Sequence, residues 1–282
     1  MPIRNSTFLL CSILFSTLTL AAQSKVEVVP QPTVTVSSGT PLNLADRKAL
    51  ITKARKAYYS LKAEGMQEYR FDAALDWKAF FDSIQADQAA RDKVLPMLQG
   101  VKFKVVVGPT GASTVSSQSD TAPPDQEAAN RLSQMTNGVE TMLRGFLQSW
   151  AGYSITPLMP EVDGDYAVVD LGSGYKVTYK EGDATLVLTL RRDLSIDRLD
   201  VASAAVNATL HSKFDTGSGG FLLSGYEADY KEGDSTSHLK VVIQHGPVNG
   251  LQVPIGFQAT TTSPSKTYTF SFTFVDPQIK KL

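Results

Sequence analysis

Cysteine is almost missing from this 282-residue chain: its single copy, Cys11, lies in an apolar leader, and there are only three histidines and two tryptophans. If the leader is removed, no disulfide can form and no thiol is left to act as nucleophile or soft metal ligand. No excess of one charge exists either, with 27 basic against 28 acidic residues, so neither nucleic acid nor an anionic membrane surface is an indicated partner. Glycine-x-serine-x-glycine elbows and lysine-bearing phosphate loops are also lacking, since Gly108-Pro109-Thr110-Gly111 is too short and has no lysine. No cofactor is expected.

What is present starts with Arg4, an apolar run through Phe8, Leu9, Leu10, Ile13, Leu14 and Phe15, and small residues at Ala21, Ala22 and Ser24. Residues 1–24 read as a cleaved secretory signal peptide, too short and too rich in Ser and Thr for a transmembrane span, which places the mature chain in the periplasm or outside the cell. Cys11 is no lipidation site, because Leu10 precedes it and much of the apolar run follows. Without disulfides, the mature chain relies on a hydrophobic core, which about 260 residues can build.

Residues 25–42 read as an extended leader, rich in Val, Thr, Ser and Pro, with room for one edge strand. The remainder, 43–282, is expected to form one α+β domain, helix-rich over 43–152 and a β-meander over 160–276. Leu44, Ile51, Ala54, Tyr58 and Leu61 recur at helical intervals and predict an amphipathic helix ending at Gly65. Tyr69, Phe71, Ala73 and Leu75 alternate as in a half-buried strand; Asp76 is placed to cap a helix through Trp77, Phe80, Phe81 and Ile84, and further helix runs to Leu98. Lys102 to Val107 is a strand, and Ser113 to Pro124 a Ser/Thr/Pro-rich loop. The clearest helix follows, with Ala128, Leu132, Met135, Val139, Met142, Phe146 and Trp150 at intervals of three or four, between Pro124 and Gly152.

Beyond Pro160 nine strands are predicted: Tyr166 to Leu171, Tyr175 to Tyr179, Leu186 to Leu190, Ile196 to Ala204, Val206 to Phe214, Phe221 to Tyr230, Leu239 to Ile243, Val253 to Ala259 and Tyr268 to Val275. Leu186, Leu188 and Leu190 share one face, as do Leu239, Val241 and Ile243, so a large antiparallel sheet must be covered on one side by the amphipathic helices. A duplication marks this half. Tyr-Lys-Glu-Gly-Asp occurs at Tyr179 to Asp183 and again at Tyr230 to Asp234, each copy five residues after a Gly-Tyr pair, Gly174-Tyr175 and Gly225-Tyr226. Both copies read as hairpins whose Lys-Glu-Gly-Asp is a solvated turn.

Several constellations carry residue types that known chemistries use. Phe214-Asp215-Thr216-Gly217-Ser218-Gly219 resembles the active-site signature of the aspartic proteases, for which Asp170 in Val168-Val169-Asp170-Leu171-Gly172-Ser173 is the candidate partner. The plainer reading is a hairpin turn. His211, His238 and His245 lack metal-site spacing, and Glu161, Asp163 and Asp165 read equally as a solvated loop or as acid and base. Aromatics give the better lead: Tyr175 and Tyr179 lie on one strand face and Tyr226 and Tyr230 repeat them, so with Phe146 and Trp150 of the long helix they are the candidates to line an apolar groove. Ordinary core packing is the competing explanation.

The order of elements, closing with Asn249-Gly250-Leu251-Gln252-Val253-Pro254 and a last strand at Tyr268 to Val275, resembles the periplasmic lipoprotein carriers of the LolA type and related lipid-binding envelope proteins. That resemblance implies an unclosed, strongly curved half-barrel of antiparallel strands wrapped around helices, with a concave face that receives acyl chains. The partner it implies is a lipid or an acylated protein. The expected function is therefore a non-catalytic extracytoplasmic binding protein; the alternatives are a secreted interaction domain with a filled core and, more remotely, a hydrolase using Asp215.

Overall fold

The computed structural model describes residues 39–120, 122–156, 158–204, 207–217, 219–232, 235–263 and 267–282. The signal peptide and most of the leader lie outside this set, as do Val206, Ser218 and the second Gly-Asp turn at Gly233 and Asp234.

Strands β1 (Thr40–Pro41), β2 (Met66–Leu75), β3 (Val101–Val107), β4 (Ser113–Ser119), β5 (Tyr166–Asp170), β6 (Gly174–Glu181), β7 (Ala184–Arg191), β8 (Ile196–Ala202), β9 (Asn207–Gly217), β10 (Gly220–Glu232), β11 (Ser235–Val248), β12 (Leu251–Thr262) and β13 (Thr267–Lys281) form one antiparallel sheet. Among the described residues four helices accompany it: α1 (Leu44–Lys56), α2 (Trp77–Ser83), α3 (Gln88–Gln99) and α4 (Gln126–Ser154). The strand order β1-β5-β6-β7-β8-β9-β10-β11-β12-β13-β2-β3-β4 leaves β1 and β4 as edges, so the sheet is an unclosed half-barrel, as the fold class required. The meander expected after Pro160 is its middle. The N-terminal half brackets that meander from both sides, with β1 beside β5 and β2 beside β13.

Alternation sets which face is covered. In β3, Val101, Phe103, Val105 and Val107 are buried while Lys102, Lys104 and Val106 face solvent. Leu186, Leu188 and Leu190 are buried together, as are Leu239, Val241 and Ile243. All join one hydrophobic cluster with α1 and α4.

Turn chemistry explains the register. Val248 pairs with Leu251 across Asn249-Gly250, both at positive φ, as a two-residue hairpin of the twist-matched kind requires. Glu181 pairs with Ala184 across Gly182-Asp183, with Gly182 at φ 63, and Glu232 pairs with Ser235 in the same register. The Gly-Tyr half of the duplication also has one structural meaning. A Cβ at Gly174 would run into the carbonyl oxygen of Leu190, and one at Gly225 into that of Val241, so both glycines permit a close approach of the neighbouring strand.

Three expectations need correction. The first helix stops at Lys56, not Gly65, because Phe221 of β10 donates its N–H to the Ala57 carbonyl at 2.8 Å and accepts from the Tyr59 N–H at 3.0 Å, drawing the chain into a bridge. The supposed loop from Ser113 contains strand β4, which pairs with β3 from Ser113 to Ser119 although only Val115 in it is apolar. Predicted strands are also short: β11 reaches Val248 and β13 reaches Lys281, through segments with no clear alternation.

Candidate functional site

Helix α4 is positioned by sequence signals at its start and by burial at its end. Asp125, in extended conformation, accepts from the Ala128 N–H at 2.7 Å through its side chain. From Leu132 to Val139 only one stripe is buried (Leu132, Thr136 and Val139), whereas from Leu143 to Ser154 the buried set includes Gly145, Phe146, Leu147, Ser149, Trp150, Ala151 and Tyr153, on every side. That second half runs through the concavity.

Its aromatic side chains continue into the sheet. The Phe146 ring stacks on Phe257 of β12 at 3.9 Å between centroids, and Phe257 stacks on Phe272 of β13 at 4.7 Å. Trp150, fully buried, meets Tyr69 of β2 edge-on at 6.0 Å, and the Tyr69 hydroxyl donates to the Pro254 carbonyl. Polar pairs punctuate this seam. Tyr153 and Ser212 of β9 share a hydrogen bond of 2.7 Å, and Ser149, which donates to the Gly145 carbonyl at 3.1 Å, lies beside the Tyr226 phenol of β10. Burial pushes the Tyr153 phenol up and the Tyr226 phenol up to about 12, so both stay neutral at ordinary pH. The Trp150 Nε1–H meets no acceptor among the described residues, an expensive omission inside a core.

Of the six aromatic candidates, Phe146, Trp150 and Tyr226 come together in this seam, and Tyr230 is buried two positions further along the face that Tyr226 and Ala228 share. They are 4 %, 0 %, 2 % and 7 % exposed, so in this conformation they fill the space between helix and sheet. Tyr175 and Tyr179 are half-buried elsewhere. Their strand β6 is separated from β10 by β7, β8 and β9, about 19 Å at the usual strand spacing. Arg192, ion-paired with Asp170 at 2.6 Å, lies over the Tyr175 ring at 4.7 Å, and the Tyr179 hydroxyl donates to the Leu158 carbonyl at 3.3 Å. The two tyrosine rows thus face one side of one sheet without meeting. Ser149, Ser212, Tyr153 and Phe257 also belong to the seam; Tyr153, three residues after Trp150, continues the helical stripe, but the serines carry no sequence signal.

The chemical alternatives lose their geometry within one chain. Asp170 in β5 and Asp215 in β9 are likewise separated by three strands, and Asp215 is exposed opposite Leu222, so these two carboxylates cannot share a proton. His238 bonds Asp229 at 2.8 Å, His211 is exposed on β9, and His245 is held down to about 4 by burial, partly opposed by Asp215. Among the described residues no three His, Cys, Asp or Glu side chains converge to hold a metal. Glu161 lies 3.8 Å from Arg55 and Asp163 is ion-paired with Lys48 at 2.7 Å, which ties their loop to α1. An open depression of about 460 Å³ lies beside it, lined by Arg55, Ser60, Lys62, Ile155, Thr156 and Glu161. Arg55 is already committed there, donating to the carbonyls of Met159 and Pro160 at 3.0 and 2.9 Å.

No family model, curated protein or solved structure matches this chain. No helix among the described residues is long and apolar enough to cross a membrane.

Proposed function

We propose that this protein is a non-catalytic extracytoplasmic binding protein that takes a lipid or the acyl chain of a lipidated protein between α4 and the sheet. The observation that carries the reading is the one-sided burial of α4 before Leu143, over an open sheet edge. Leu132 and Val139 are its fully packed aliphatic anchors, each worth about 2 kcal/mol, whereas Leu143, Phe146, Leu147, Trp150 and Tyr153 beyond them hold on the order of 10 kcal/mol. An acyl chain returns about 0.8 kcal/mol per buried methylene, so about five methylenes offset the release of the two anchors of the first half, whereas the second half would take more than about twelve. Residues 1–24 support an extracytoplasmic location as a signal peptide. The resemblance to carriers of the LolA type, which rests on element order, points the same way.

The test is direct. The mature protein, purified from its native envelope fraction, is extracted for lipid and titrated with a fluorescent long-chain fatty acid. Saturable uptake at about one site per chain is expected. Absence of both extractable lipid and uptake sinks the proposal and leaves the second reading, a secreted interaction domain working through its outer surface, which the complete burial of Trp150 favours.

A further inference from the structure

Among the described residues the sheet ends in β1 beside β5 and in β4, and a helix-borne arginine reaches each end. At the β5 edge, Arg47 of α1 donates to the Tyr166 carbonyl at 2.6 Å and stacks over its ring at 5.2 Å. Main chain reinforces that edge, since Leu42 N–H donates to the Val168 carbonyl at 2.9 Å and β1 pairs with β5. At the β4 edge the next strand is replaced by side chains alone. Glu140 Oε1 accepts from the Ser117 N–H at 2.8 Å, Arg144 Nη2 donates to the Val115 carbonyl at 2.7 Å, and the two side chains pair at 2.7 Å one helical turn apart. An acceptor and a donor two residues apart on the strand are what a further antiparallel strand would supply.

We infer that Glu140 and Arg144 form a releasable clasp that seats the first half of α4 on the β4 edge, and that this half is the moving part of the molecule. The clasp straddles the point where burial of α4 changes from one stripe to all sides, Glu140 following Val139 and Arg144 following Leu143. Its release frees Leu132, Thr136 and Val139 from the sheet while Phe146 and Trp150 stay seated, and it exposes the Val115 and Ser117 main chain together with the concave face of β3. Glu140 is largely covered in place, with 13 % of its side chain exposed, so the pair is a built contact and not a chance surface encounter. The clasp as a gate for ligand rests on the proposed acyl binding; the clasp as a local opening unit does not.

Amide hydrogen exchange without ligand separates the two. Glu140→Ala is expected to raise exchange at Ser117 and its β4 neighbours about tenfold while leaving Val177 and Leu188 in β6 and β7 unchanged. Glu140→Gln, which keeps an acceptor oxygen, is expected to restore most of the protection. Unchanged exchange at Ser117 in Glu140→Ala overturns the clasp, and so does an equal rise in β6 and β7, which would mean a uniformly weakened fold. If exchange responds as expected and fatty-acid uptake by Glu140→Ala is faster than by wild type, the gate stands. If exchange responds and wild type takes up no fatty acid, the clasp survives and the acyl-binding reading fails.

Discussion

The two halves of α4 share one continuous helix and belong to different environments. From Gln126 to Val139 it is an amphipathic surface helix, started by the Asp125 cap, with Leu132 at 9 % exposure as its first packed apolar side chain. From Leu143 to Ser154 it is a core helix, with Leu143, Leu147, Trp150 and Ala151 at 0 % and with Gly145 and Ser149 buried among them. The lesson is that in an open half-barrel the cost of displacing a helix depends on which half is moved, because one is held by a stripe and a clasp and the other by burial on all sides.

Core truncation is the strongest way to break this comparison. Trp150→Ala should lower the unfolding free energy by about 3–5 kcal/mol, enough to leave the chain marginal, whereas Leu132→Ala should cost about 2 kcal/mol. Urea unfolding of both variants, read by far-ultraviolet circular dichroism, gives the two numbers. Equal losses would erase the distinction between the halves.

Acid offers a subtler probe through Glu140. Desolvation works against its charged form, but hydrogen bonds from Ser117 and the Arg144 guanidinium outweigh it and hold the carboxyl below the usual glutamate range. A carboxyl with a lowered folded pKa stabilises fully above its unfolded pKa, and that stability is lost as pH falls through the folded value. Between about pH 6 and about pH 3, wild type should therefore lose on the order of 1 kcal/mol more than Glu140→Gln. Urea midpoints across that range check it, and parallel pH profiles would deny Glu140 this role. Carboxylates common to both proteins cancel in the difference.

Much of this architecture is visible in the residues themselves. The 3,4 spacing from Ala128 to Trp150 predicts α4, the alternation of Tyr69, Phe71, Ala73 and Leu75 predicts β2, and Asp76 caps α2 by accepting from the Ala79 N–H at 2.9 Å. Strand β4 is hidden because Ser-Thr-Val-Ser-Ser-Gln-Ser has no apolar period; it is held by β3 on one side and by the Glu140–Arg144 clasp on the other, partners that are distant in sequence. The end of α1 is hidden for the same reason, since Phe221 decides it from more than 160 residues away. Of the candidate site, the large aromatics stand out and their burial does not, because an alternating Tyr fits a groove wall and a core equally well. Ser149 and Ser212, which answer the buried tyrosine hydroxyls, look like any other serines.

The smallest expected effect is also the most diagnostic of where α4 is weak. Asp125→Ala removes the side-chain acceptor for the Ala128 N–H and a negative charge at the helix start, worth about 1 kcal/mol in an ordinary cap. If the first half of α4 opens as a unit, that loss is local: amide exchange over residues 128–139 should rise about fivefold, while the urea midpoint, set by the core around Trp150, barely moves. A midpoint shift matching the full loss, with exchange rising equally at Ala128 and at Leu147, would instead mean that α4 unfolds as one piece with the sheet, and the helix would then have one half, not two.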